Sequence, residues 1–223
     1  ALSGIRAGGV GKVVLARAVR LVADEPIDPH AVCATLIDSS PYADGFLVDL
    51  SPAGGDHTGR TLVGSSPEIL VRRRGEVVEC HPLAGSAPRE TDPAADQASA
   101  RALRESGKDA FEHAFVVDSL ATALRPLCVD LEIPEHPSLT STREMWHLGT
   151  RIRGRIADPR TTALDLALAV HPTPAVCGTP TDEARRIIAG IEGPRGFYAG
   201  AVGWSDAGGD GDWMVTIRCA EID

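Results

Sequence analysis

Five short runs rich in β-branched residues, most of them bounded by Gly, Pro or Asp, fill much of the first 82 residues. They are KVVLARAVRLVA (12–23), GFLVDL (45–50), RTLVGSS (60–66), EILVRRR (68–74) and EVVECHP (76–82). This composition predicts strands, and the last four predict consecutive antiparallel strands. The stretch PHAVCATLIDS (29–39) predicts a short helix, and SPAGGDHTG (51–59) predicts a turn-rich hairpin loop.

The composition changes at residue 93, where an Ala/Leu/Arg-rich stretch predicts two helices with Gly107 near their junction and Pro126 after the second. Five residues at helical spacing predict the core-facing stripe of the second helix: Ala110, Ala114, Val117, Ala121 and Leu124. Three polar residues are expected off that stripe: Asp109, Glu112 and His113.

The remaining third returns to strands and helices. MWHLGTRIRGRI (145–156) predicts a strand, and TTALDLALAV (161–170) predicts a helix. A second helix is expected after Thr179, which would cap it, with Pro180 in its first turn. The last 30 residues predict a hairpin around AGGDG. The whole order predicts an α+β fold with a large, mostly antiparallel sheet flanked by helices.

The charge and the absence of long apolar runs restrict the partners. The formal net charge of −9 argues against nucleic acid or an anionic membrane as a partner. The chain has no apolar run of about 18 residues and starts without the apolar core of a signal peptide. The five cysteines are dispersed, which predicts reduced and mostly buried thiols. We therefore expect a cytoplasmic protein; the sequence leaves its oligomeric state open, a monomer included.

The stretch HPTPAVCG (171–178) allows three interpretations: a Cys/His nucleophile pair, a metal site, or a rigid loop that shapes a pocket. Nothing in the sequence brings the two side chains together, and no second Cys/His pair has ligand spacing. A buried structural thiol is the favoured interpretation of Cys177. The loop ends in Gly178 and leads to a helix start, whose backbone N–H groups can face an anion.

Single charged residues are ambiguous on their own. Lys12 lies in an apolar run and is most simply a strand-end lysine with a snorkelling stem. Glu68 is most simply a solvated residue, and Glu112 a surface acid paired with Lys108. Arg218 is either an edge arginine facing water or a buried group that needs an anionic partner.

Eight blocks together resemble the chorismate-utilising enzymes, in order and in approximate spacing. They are KVVLAR, GSSPEIL, HPLAGSAPR, KDAFEHAFVV, MWHLGT, HPTPAVCG, FYAGAVGW and VTIRCAEI, which cover nearly the whole chain from Lys12. The resemblance implies one domain with a large antiparallel sheet, magnesium as the cofactor and chorismate as the substrate. Members include isochorismate, anthranilate, aminodeoxychorismate and salicylate synthases.

Within this family the chain is most similar to isochorismate synthases. Salicylate synthases usually carry threonine at the position of Ala175, and aminodeoxychorismate synthases carry a nucleophilic lysine at Ala84. Ammonia-using members usually lack a lysine at the position of Lys12. The resemblance thus implies water as the nucleophile. A salicylate synthase, an ammonia-using enzyme of the anthranilate type and an inactive fragment remain alternatives.

The resemblance also implies roles for individual residues. Lys12 is the base for the attacking water, and Glu68 is the acid for the leaving oxygen. Glu112 is a magnesium ligand, with Asp109 acting one turn away through water. The substrate-binding residues are Arg218, which holds the enolpyruvyl carboxylate, His147 and Ala175, which line the pocket, and Gly178, which offers backbone donors.

The printed chain departs from the family pattern at both ends. Family members continue past the block VTIRCAEI into a glycine-rich strand and a last helix, which supply a second glutamate ligand and a carboxylate-binding lysine. The printed chain stops at Asp223, and its N-terminal side is short. We therefore expect residues 1–223 to form the chorismate-binding catalytic domain without that strand and helix, and with an incomplete magnesium site.

Overall fold

A computed structural model describes Ile5, residues 8–40 and residues 44–223. Within these residues every strand pairing is antiparallel, and the largest sheet has six strands. Helices flank the strands, so the predicted α+β class with a large antiparallel sheet is confirmed.

The strands form four sheets, with orders β12-β13-β4-β5-β10-β7, β14-β3-β2, β6-β9-β8 and β1-β11. Their bounds are β1 (Lys12–Val13), β2 (Phe46–Asp49), β3 (Thr61–Gly64), β4 (Ile69–Arg74), β5 (Val77–His81), β6 (Leu83–Pro88), β7 (Cys128–Glu132), β8 (Ser138–Ser141), β9 (Met145–Gly149), β10 (Ile152–Ile156), β11 (Gly178–Thr179), β12 (Ala201–Ser205), β13 (Gly211–Val215) and β14 (Cys219–Ile222).

The α-helices lie where the sequence predicts them. They are α1 (Pro29–Ser39), α2 (Pro93–Glu105), α3 (Gly107–Leu124), α4 (Ala163–Val170) and α5 (Thr181–Ile191). Four N-caps have side chains that accept a backbone N–H bond: Asp28, Asp92, Ser106 and Thr162. The predicted cap at Thr179 is wrong, because Thr179 belongs to β11 and Pro180 precedes α5. None of the described helices has the length and hydropathy to cross a bilayer.

The main core lies between one face of the six-stranded sheet and the helices α3 and α4. Strand β10 shows why: Ile152, Gly154 and Ile156 are buried, while Arg153 and Arg155 between them are exposed. The fully buried side chains of this core include Leu70, Val71, Val78, Leu120, Leu124, Ile152, Leu166 and Val215. Each such side chain contributes about 1.5–3 kcal/mol relative to its exposed state.

The buried stripe of α3 differs from the predicted one. Ala110 and Ala114 are exposed, whereas His113, Val116 and Leu120 are buried with the shared residues Ala121 and Leu124. Relative to the prediction, the buried face of α3 is thus rotated about the helix axis by about one residue. The polar side chain of His113 can lie on this face because it has hydrogen-bond partners inside the molecule. The prediction that His113 lies off the stripe is wrong.

Several predicted strands are shorter or divided. Of the run 12–23 only β1 is a strand, and Val19, Leu21 and Val22 are largely exposed. The run 145–156 divides into β9 and β10 at residues 150–151, and the last run divides into β13 and β14 at residues 216–218. Strands β3 and β4, expected to be neighbours, belong to different sheets on either side of residues 65–68.

Candidate functional site

Lys12 and Glu112 form an ion pair at the meeting point of β1 and α3. Strand β1 pairs with β11, which directs Lys12 inward, and the residue is only 8% exposed. Its Nζ lies 3.0 Å from Oε1 of Glu112, whose side chain is 34% exposed. The interpretation of Lys12 as a snorkelling lysine is therefore wrong. Glu112 pairs with Lys12 rather than with Lys108, whose Nζ lies 3.9 Å from Asp109 Oδ1.

Glu68 is a buried carboxyl group next to this pair. It follows the break at residues 65–67 and is 3% exposed. Burial raises the pKa of Glu68 to about 8, although the charge of Lys12 and a hydrogen bond from the Leu83 amide lower it. Its Oε1 is buried without a hydrogen-bond partner among the described residues. Glu68 can therefore hold a proton near neutral pH and has an oxygen free for a ligand.

His147 and Arg218 form a second group of polar side chains. His147 lies opposite Ser86 on the β6–β9 ladder, and its Nδ1 is 2.7 Å from Ser86 Oγ. The Nη2 of Arg218 lies 3.2 Å from Nε2 of His147. Burial and the charge of Arg218 lower the pKa of His147 to about 4, so the ring is neutral. Because arginine only donates, Nε2 accepts and Nδ1–H donates to Ser86.

Arg218 borders a cavity of about 180 Å³, which Ser65, Thr142 and Glu144 also line. It lies between β13 and β14 at a φ of 49°. Its guanidinium makes no ion pair with a carboxylate of the described residues. Its carbonyl accepts a bond from the Ser65 amide, and the Glu68 carbonyl accepts one from the Val215 amide. These two bonds connect the segment that carries Glu68 to the one that carries Arg218.

The loop HPTPAVCG packs on the main core through Val176, with Ala175 partly buried beside it. Cys177 is 4% exposed, and burial raises the pKa of its thiol, which supports the structural interpretation. We expected Gly178 to lie at the start of a helix, and this expectation is wrong. It lies in β11 at a φ of 145°, where a Cβ atom would lie 2.1 Å from the Lys12 carbonyl oxygen. Its small size permits the close approach of the strand that carries Lys12.

Asp109 is engaged at the start of α3 and does not join a cluster of ligands. Its carboxylate accepts a hydrogen bond from Ser106 Oγ, and its amide donates to the same atom at 3.2 Å. In the described part of the chain, no three His, Cys, Asp or Glu side chains lie close enough together to hold a metal ion.

His113 is a buried residue beside the site that the sequence analysis missed. Its Nδ1 lies 3.1 Å from the Ala84 carbonyl, and its Nε2 lies 2.7 Å from Thr150 Oγ1. Since the carbonyl only accepts, Nδ1–H donates and Nε2 accepts from Thr150. Its spacing of three and seven residues to Val116 and Leu120 was the signal that could have revealed it.

Comparison with known proteins identifies the family of this chain. A family model described as chorismate binding enzyme matches residues 1–223. The chain belongs to the chorismate-binding enzyme family. The family predicted from the eight sequence blocks is thereby confirmed.

Two relatives and one solved structure show how close the family members are. MenF of Mycobacterium tuberculosis is 56% identical over 215 residues, which cover 96% of this chain and 58% of that protein. Isochorismate synthase DhbC of Bacillus subtilis is 50% identical over 223 residues, covering 100% of this chain and 56% of that protein. The structure of DhbC from Bacillus anthracis has a TM-score of 0.93 at 44% identity, covering 99% of this chain and 59% of that one. The chain thus spans a little over half the length of these chorismate-binding relatives.

Proposed function

We propose that this chain is the chorismate-binding catalytic domain of an isochorismate synthase. The observation that carries the proposal is the group of Lys12, Glu68 and Glu112, in which a buried acid with a raised pKa lies near a buried lysine. The similarity to an isochorismate synthase of Bacillus subtilis supports it. The cysteines are free thiols, which fits a cytoplasmic enzyme.

The isomerisation adds a hydroxyl group at one ring carbon and removes another, while the double bonds shift. Glu68 donates its proton to the leaving oxygen, which departs as water. Lys12 is the base that removes a proton from the attacking water. After the reaction Glu68 has lost a proton and Lys12 has gained one. One proton must therefore pass from Lys12 back to Glu68, directly or through solvent, before the next turnover.

Arg218 and His147 bind the substrate in this proposal. Chorismate carries two carboxylates, and a guanidinium without a carboxylate partner matches one of them with its planar fork. The neutral His147 holds that guanidinium through Nε2 and adds no charge of its own. Ala175 lines the pocket next to the ring, and the close packing at Gly178 fixes the strand of Lys12.

Magnesium is the proposed cofactor, and Glu112 fits it as one ligand. Mg²⁺ is usually held by one or two carboxylates, with waters and substrate oxygens completing the shell. Glu112 is partly exposed beside Lys12 and can supply one oxygen. Asp109, whose carboxylate accepts a bond from Ser106, is proposed to act through water. When bound, the ion would neutralise and orient a substrate carboxylate.

The test uses the full-length protein with chorismate and magnesium, and the product is identified by chromatography and mass spectrometry. We expect isochorismate. Salicylate with pyruvate, or an amino product when ammonia is present, would contradict the proposal.

Lys12→Ala should lower kcat by at least about 100-fold while chorismate still binds, because it removes the base.

Glu112→Gln should weaken magnesium binding at least about tenfold in calorimetric titration. It should also lower thermal stability, because it leaves the buried Lys12 without its ion-pair partner. The matched control is Asp118→Asn, since Asp118 is an exposed acid on the same helix. Equal magnesium affinity in the two variants would show that Glu112 is not a magnesium ligand.

A further inference from the structure

Arg195 connects two segments that carry residues of the proposed site. It follows α5, and its side chain is 18% exposed. Its Nη1 donates to the Val176 carbonyl and its Nη2 to the Val14 carbonyl, both at 2.8 Å. Val14 comes two residues after Lys12, and Val176 comes directly after Ala175. One guanidinium therefore holds the backbone of both segments.

Glu192 completes this arrangement. Its carboxylate accepts two bonds from Arg195, at 2.8 Å from Nε and 2.9 Å from Nη2. The same carboxylate accepts a bond from the Ala16 amide at 2.6 Å. The side chain of Glu192 is only 10% exposed. We call these two residues the Arg195–Glu192 clamp.

The strand of Lys12 needs such support because its ladder is very short. Strand β1 pairs with β11 through two residue pairs, and two further amide bonds join Gly11 to the Thr179 carbonyl and Val14 to the Cys177 carbonyl. From residue 14 to Asp28 the chain has no strand or helix. A pairing of this length is marginal by itself. The clamp adds bonds to both Val14 and Ala16 immediately after it.

The clamp differs from an ordinary surface pair of the same spacing. Arg186 and Glu183 on α5 are also three residues apart, but the arginine side chain is 72% exposed and, among the described residues, bonds only to that glutamate. The guanidinium of Arg195 uses all three nitrogens in three directions. A lysine has one nitrogen and cannot reach both carbonyls and both carboxylate oxygens.

We propose that Arg195 and Glu192 are positioning residues that keep Lys12 at a fixed distance from the Ala175 wall of the pocket. The catalytic consequence rests on the proposed function, in which Lys12 is the base. The clamp itself does not touch the substrate. Its loss should therefore displace the base without removing a substrate contact.

The experiment is Arg195→Lys in the full-length protein. We expect kcat to fall about 10- to 100-fold, because a small displacement of a catalytic group costs that much. KM for chorismate should change much less, since Arg218 and His147 keep their contacts. Amide hydrogen exchange at residues 14–16 should become faster. In Arg195→Ala, added guanidinium ion at millimolar concentration should restore part of kcat.

The matched control is Arg73→Lys. Arg73 is also buried, with a side chain 6% exposed, and donates to the carbonyls of Gly75, Thr161 and Pro159. Its partners lie at the end of the six-stranded sheet and do not include the segments of Lys12 or Ala175. Arg73→Lys should lower the melting temperature about as much as Arg195→Lys does, and it should leave kcat unchanged.

Each outcome decides the proposal. Wild-type kcat and wild-type exchange at residues 14–16 in a folded Arg195→Lys variant would overturn it. So would an equal loss of kcat in the Arg73→Lys control. If Arg195→Lys does not fold, Glu192→Gln replaces it, with faster exchange at Ala16 and a lower kcat expected. A wild-type protein that makes no isochorismate contradicts the proposed function, whereas the exchange data still decide whether the clamp exists.

Discussion

At the scale of single residues, Cys177 shows how burial determines chemistry. The thiol lies in a small cluster with Val10, Ala184 and Ile188, and its Sγ donates to the Thr181 carbonyl at 3.8 Å. Burial raises the pKa of Cys177, so the reactive thiolate is disfavoured. The neighbouring Ala175 is small and partly buried. We propose that the loop acts through its shape rather than through its sulfur.

A pair of variants tests this conclusion. Cys177→Ser should keep most of the activity and lose about 1 kcal/mol of stability, because a hydroxyl replaces a thiol at an apolar site. Ala175→Thr should slow isochorismate formation and allow some pyruvate release, since it adds a methyl and a hydroxyl beside the ring. Product analysis of both full-length variants is the measurement. If Cys177→Ser is inactive although properly folded, and Ala175→Thr has the activity and products of the wild type, the thiol takes part in the reaction.

At the scale of elements, the short β1–β11 ladder depends on Gly178. An alanine Cβ at this position would collide with the Lys12 carbonyl oxygen and with the Ala184 side chain, which is 2.7 Å away. Gly178→Ala should therefore lower the free energy of unfolding by about 1–3 kcal/mol or more and strongly reduce activity. Thermal unfolding and kcat are the measurements.

The control for this prediction is Gly190→Ala in α5. A Cβ at Gly190 meets nothing within 4 Å, so this change should be neutral or stabilise by up to about 1 kcal/mol. If both glycine variants behave alike, the close approach at Gly178 does not limit the strand of Lys12.

The local sequence predicts elements better than it predicts their partners. The helix at residues 29–39 has its predicted bounds because Asp28 and Pro29 define its start chemically. Lys12 looked like a surface lysine because its burial comes from α3 and β11, which are distant in sequence. An i, i+4 pair of Glu112 with Lys108 is worth only a few tenths of a kcal/mol, so tertiary packing overrides it. The family resemblance, rather than any local pattern, brought the site residues together.

Strand periodicity also cannot reveal where a strand changes sheets. In the run MWHLGTRIRGRI only two successive polar residues, Thr150 and Arg151, mark the point between β9 and β10, although the two strands have different neighbours. Pairing partners lie far along the chain, and a single sequence carries no signal for them.

At the scale of the whole molecule, one carboxyl group couples global stability to pH. The usual pKa of a glutamate is 4.5, and burial raises that of Glu68 to about 8. Between these values the folded protein keeps a proton that the unfolded chain releases. The folded state then holds one more proton at this carboxyl group, so the contribution of Glu68 to stability falls as pH rises from about 4.5 to about 8, by at most about 1.4 kcal/mol per pH unit.

Urea unfolding at several pH values across this interval tests the coupling. Glu68→Gln should flatten the dependence, because its side chain cannot ionise. Glu76→Gln is the control, since the Glu76 side chain is 74% exposed, and it should retain the wild-type slope. A slope that is unchanged in Glu68→Gln would mean that another group carries the effect.

The places where the chain passes from one sheet to another have a consequence for evolution. Glu68, Thr150 and Arg218 all lie at such places, at residues 65–68, 150–151 and 216–218. Side chains there have no cross-strand partner and bond instead to other segments, Thr150 to His113 and Arg218 to His147. A substitution at one of these positions therefore leaves the strand pairing intact and acts on the contacts between segments. We expect family members to keep Glu68 and Arg218, which the proposed function assigns to the shared substrate chorismate, and to differ with their products at Lys12, Ala84 and Ala175.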